Sequence, residues 1–124
     1  MPVQSADLPI RVLFCIGITQ NFFELPRDQI PEVFAAFDSA FGDLEKSFGV
    51  RVLGTLDDDR VQVGTSTAWP WTSYIMADVP DLDTIVKICD LLRTTPVGDG
   101  LLWRYARIET RIGRAVSLQD PPGG

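Results

Sequence analysis

The 124-residue chain contains no histidine. Both the commonest general base near neutral pH and the commonest transition-metal ligand are therefore missing. Scattered carboxylates and two cysteines remain, so no metal site and no cofactor are expected, and any nucleophilic triad needing imidazole is excluded. Cysteine is scarce: Cys15 and Cys89 each sit inside apolar runs, which suits buried, reduced thiols and a cytoplasmic protein better than a disulfide. No apolar run approaches the ~20 residues of a membrane span. The opening MPVQSADLPI lacks the basic and apolar regions of a secretory signal. Positive charge is short as well: 11 Lys and Arg against 17 Asp and Glu leave a net charge of −6. That disfavours a nucleic-acid partner met through its phosphates, and docking on an anionic membrane.

What is present is a globular composition, 45% apolar and 23% charged. A chain of this length buries roughly two-thirds of its unfolded surface, enough for one domain, expected over residues 10–114 with flexible ends at 1–9 and 115–124. Ile10 to Ile18 (IRVLFCIGI) reads as a strand buried on both faces. Asp28 is placed to cap a helix in which Ile30, Val33, Phe34, Phe37, Phe41, Leu44 and Phe48 recur at three- and four-residue steps, ended by Gly49. That aromatic stripe reads as core. Strands follow at 50–56, 61–63 and 71–77, with Asp57-Asp58-Asp59 read as a solvated turn rather than a cation site, since the EF-hand spacing is absent. The segment at 64–68 lacks the glycine spacing and lysine of a phosphate loop. Pro80 and Asp81 open a second helix with Leu82, Ile85, Val86, Cys89 and Leu92 on one face; 94–100 is a loop, and 101–112 a long last strand. Strand, helix, strand, strand, helix, strand is the α+β, ferredoxin-like βαββαβ order. Both helices then cover one sheet face, and apolar residues on the other predict a homodimer that buries it, a dimeric α+β barrel.

Candidate chemistry centres on the last strand. Strict alternation places Trp103, Tyr105, Arg107, Glu109 and Arg111 on one face. Residues 103–114 carry four arginines against one glutamate, so Arg107 or Arg111 could hold a ligand carboxylate bidentately. The competing reading is a solvated edge or a dimer salt bridge. Trp69-Pro70-Trp71 and Tyr74 add flat apolar surface, for an interface or for a ligand. As an enzyme, the chain would use Glu109 as general base, with Tyr105 or Tyr74 donating to an oxyanion. As a binder, it would hold a planar aromatic carboxylic acid with Trp71, Tyr74, Trp103 and Arg107, Trp71 being the one favoured for packing.

The stretches VRVLGTLDDDR, GTSTAWPWTSYIMADVPDLDTIVKICDLLRTTPVG and LLWRYARIETRIGR resemble the darcynin-type small accessory proteins encoded among bacterial indole-3-acetic-acid catabolic genes and, by layout, the dimeric α+β-barrel superfamily. The likeness spans roughly residues 10–114. It implies a role in breakdown of an indole-derived acid beside flavin-dependent oxygenases: either conversion of an oxidised indole-acetate intermediate, or a non-catalytic module that binds it or supports an oxygenase. Members of that superfamily often use a barrel histidine or asparagine; here Asn21 is the only asparagine.

Overall fold

The computed structural model describes residues 9–58 and 71–116. Four long strands form one antiparallel sheet: β1 (Ile10–Ile18), β2 (Arg51–Asp57), β3 (Trp71–Val79) and β6 (Ala106–Gly113), in the order β2-β3-β1-β6. A second, two-stranded sheet pairs β4 (Pro96–Val97) with β5 (Gly100–Leu101). The helices are α1 (Gln20–Phe23), α2 (Ile30–Phe41), α3 (Leu44–Phe48), α4 (Leu82–Cys89) and α5 (Leu91–Thr94). The βαββαβ order predicted by the residue pattern is present.

Register assigns the faces. Val12 pairs with Ala77 and Ile112, and Phe14 with Ile75 and Thr110. These even positions of β1 meet the helices, and Val12 and Phe14 are fully buried. The core has two adjoining clusters. One joins Val12, Phe14, Ala77 and Val79 to Leu44, Ile85 and Ile88; the other joins Ile16 and Ala106 to Val33, Leu92, Leu102 and Tyr105. The opposite face carries Leu13, Cys15, Tyr74, Met76, Glu109 and Arg111, which pair with one another across the strands. On this face Arg11 Nε donates to Asp78 Oδ1 at 2.6 Å, tying β1 to β3.

Several sequence expectations change. The single helix predicted over 30–48 is two helices broken at Gly42, where a Cβ would sit 2.4 Å from the Asp38 carbonyl oxygen. Gly49, at φ 68°, ends the second in the left-handed region. Asp28 lies within a 3-10 turn (Arg27–Gln29) rather than at the cap of α2, whose N-cap is Gln29. In the aromatic stripe Val33 and Leu44 are buried, but Phe34 is exposed, its ring edge on Phe22. The loop predicted at 94–100 contains the β4–β5 hairpin, turning through Gly98 at φ 58°. The last strand begins only at Ala106. Leu102–Arg104 is a 3-10 turn closed by Tyr105 N–H donating to the Leu102 carbonyl at 2.9 Å. The strand predicted at 61–63, the segment 64–68, Asp59 and Trp69-Pro70 lie outside the described residues.

Candidate functional site

The 3-10 turn decides where the candidate residues go. Leu102 is buried, its N–H donating to the Thr95 carbonyl, and Thr19 Oγ1 donates to the Arg104 carbonyl at 2.7 Å. The chain thus folds back on itself before β6 starts, and the alternation that put Trp103 and Tyr105 in line with Glu109 does not hold. Tyr105, 7% exposed, belongs to the core on the helix-covered side. Glu109 is on the open side, its carboxylate ion-paired with the Arg111 guanidinium. Of the two tyrosines predicted to work with Glu109, Tyr105 is divided from it by the sheet and Tyr74 shares its face.

On the open face the sheet brings together Tyr74, Cys15 and Glu109 in one cross-strand row, with Leu56 beyond Tyr74. Leu13, Gly54, Leu56, Tyr74 and Met76 line a cleft of about 430 Å³ with Asp58 at its rim. The Tyr74 hydroxyl lies 3.2 Å from Asp58 Oδ2 and 3.2 Å from the Trp71 carbonyl oxygen, within donating reach of either. Partial burial, then the hydrogen bond to Asp58 and its charge, push the Tyr74 phenol above its ordinary range. Trp71 is half-buried, opposite Gly17 at a register shift in β1.

The larger cavity lies on the other side. It is a groove of about 740 Å³ between α4–α5 and the edge strand β6, walled by Leu82, Ile85, Val86, Cys89, Ile108 and Ile112. One end carries Trp103, 46% exposed, with Arg93 and Arg107 over its ring at 5.5 and 5.0 Å from the centroid. Arg107 faces the open side by register, opposite Gly17. Because β6 is an edge strand, its guanidinium can turn around that edge, where Nη1 donates to the Trp103 and Ala106 carbonyls. Among the described residues Nε and Nη2 make no hydrogen bond and are left as a fork suited to a carboxylate. Neither Arg93 nor Arg107 has an acidic partner in the ion pairs among the described residues. Asp90 also lines the groove, its one carboxylate among the described residues.

Of the residues predicted from sequence, Trp103 and Arg107 meet in this groove; Tyr74, Glu109 and Arg111 share the open face; Tyr105 enters the core. Arg93 was not anticipated. Its signal is basic charge in the last turn of a short helix, indistinguishable in sequence from an ordinary C-terminal cation. Among the described residues no group of three or more Cys, Asp or Glu is placed to hold a metal ion. No helix among them is long and apolar enough to cross a membrane.

No protein-family model matches the chain, and neither does any curated protein. Solved structures do. A chlorite dismutase-like protein superposes with a TM-score of 0.50 at 14% identity, over 92% of this chain. With the strand order above, that settles the architecture. The chain is a ferredoxin-like α+β domain. It spans 46% of the length of that neighbour. A dimeric protein of unknown function with a ferredoxin-like fold from Bacteroides fragilis superposes with a TM-score of 0.38 at 10% identity, over 82% of this chain and 93% of that one.

Proposed function

We propose that the protein is a homodimeric binding module for a small aromatic carboxylic acid of the indole-acetate type, serving aromatic catabolism and holding its ligand in the groove between α4–α5 and β6. One observation carries the reading: two guanidiniums without acidic partners among the described residues stand over Trp103 at one end of a mostly apolar groove whose lining also includes Asp90. A planar acid needs flat apolar walls for its ring and a cationic fork for its carboxylate. Stacking on Trp103 holds the forks in place before the ligand arrives, which lowers the ordering cost of binding. The identity of the acid rests on the sequence resemblance.

Binding is favoured over conversion because Glu109, the predicted base, is already ion-paired with Arg111; of its two predicted tyrosine partners Tyr74 shares its face and Tyr105 does not. Conversion of an oxidised indole-acetate would need another base. The dimer is supported by the open face, where Leu56 and Met76 are exposed on a surface with no helix over it among the described residues. A contiguous apolar patch of this kind marks an association surface. In the alternative role, as a partner that supports an oxygenase, the same patch would meet a different protein.

Calorimetric titration of indole-3-acetate and its hydroxylated and oxindole derivatives against wild type and Arg107→Met tests the reading. Loss of the fork is expected to weaken binding roughly tenfold to a hundredfold, the ~1.5–3 kcal/mol of a charge-assisted hydrogen bond. Absence of binding by wild type, or equal binding by a folded Arg107→Met, would remove the groove from consideration and leave the partner role ahead.

A further inference from the structure

The groove is polarised along its length. Arg93, Trp103 and Arg107 occupy one end, and α4 runs away from them toward Leu82, which follows the end of β3 where Val79 pairs with Ile10. β6 runs the same way, from Arg107 to Ile112, five strand steps of about 3.3 Å, or roughly 16 Å. At that far end Leu82, Val86 and Ile112 remain 58%, 63% and 51% exposed although all three line the groove. A two-ring acid with its carboxylate at Arg107 would leave this apolar end uncovered.

We infer that the groove accepts an amphipathic carboxylate with an apolar extension, so that the carboxylate sits at the arginine end while the extension covers Leu82, Val86 and Ile112. This rests on the binding reading above and names the class of acid it prefers. Both guanidiniums lie at the Trp103 end, which sets the ligand's orientation. The apolar lip rewards length, because each methylene taken from water contributes ~0.8 kcal/mol when fully buried, about fourfold in affinity, and less on an open lip.

The probes are phenylacetate, 4-phenylbutyrate and 6-phenylhexanoate, titrated below their aggregation limits against wild type, Arg107→Met and Val86→Gln. Val86 is solvent-exposed on α4 and glutamine is a good helix former, so that variant keeps the fold, checked by circular dichroism. Affinity is expected to rise at least twofold per added methylene, Val86→Gln to flatten that rise, and Arg107→Met to weaken all three acids alike. Arg107-dependent binding that is independent of chain length, or a slope unchanged in Val86→Gln, would overturn the extension while leaving the binding module standing. Failure of every acid to bind would overturn both.

Discussion

At the scale of single residues the two thiols differ in surroundings more than in sequence. Cys15 is buried on the open face between Tyr74 and Glu109, and Cys89 is half-buried in the groove wall. Burial is the leading cause that raises both thiols above the ordinary range; the Arg111 charge partly offsets it at Cys15, and Asp90 adds to it at Cys89. Little thiolate is therefore present at neutral pH, and both should alkylate far more slowly than a free thiol until the chain is unfolded. A bound acid is expected to protect Cys89 further and leave Cys15 unchanged. Iodoacetamide labelling followed by peptide mass spectrometry reads the two separately, and equal protection of both would point to general stiffening instead of groove occupancy. Arg107 shows what sequence cannot give at this scale: its place on β6 assigns it to the open face, yet its guanidinium is used on the other side of the edge.

At the scale of elements, α4 builds one wall of the groove, and its start is set by Asp81. The carboxylate accepts from the Thr84 N–H at 2.8 Å and from Thr84 Oγ1 at 2.7 Å. Those two hydrogen bonds hold Asp81 below the usual carboxylate range. A folded-state value below the unfolded one means that the cap's contribution is complete above the ordinary aspartate value near ~3.9 and is lost as pH falls from there through the depressed folded value. Asp81→Ala should therefore lower the thermal midpoint at neutral pH, Asp81→Asn should lower it less, and the difference from wild type should shrink on acidification below about pH 4. A midpoint difference that persists unchanged in acid would show that the cap acts through packing alone. The face of α4 also explains a missed signal. Leu82, Ile85, Val86, Cys89 and Leu92 read as one helix face, but of that set only Ile85 and Leu92 are fully in the core, together with Ile88, while Cys89 packs against it partly buried. The surplus width of the stripe is the groove lip.

At the scale of the whole molecule, a four-stranded sheet with its helices on one side leaves the other side to be covered. Wild type is expected to run as a dimer by light scattering at micromolar concentration. Met76→Glu, which places a charge in the middle of the open face, should give a folded monomer. A wild-type monomer would end the dimer proposal, and an unshifted Met76→Glu would move the interface elsewhere.

The strand and helix order was legible in the residues themselves, because apolar period and turn chemistry are local and survive into the fold: Ile10–Ile18 and the breaks at Gly49 and Asp81 reappear, and the helical run at 82–92 reappears as two helices parted at Asp90. The lack of histidine likewise ruled out imidazole chemistry before any coordinates. What only the tertiary structure decided was which side of the sheet each candidate serves. The residues WRY at 103–105 alternate as well as any strand, and their 3-10 turn is imposed from outside. Thr19, 85 positions away, anchors the Arg104 carbonyl, and Thr95 takes the Leu102 N–H. Those are non-local hydrogen bonds, invisible to a periodicity, and they send Tyr105 to the core, Glu109 to the open face and Trp103 to the groove where Arg93 and Arg107 meet it.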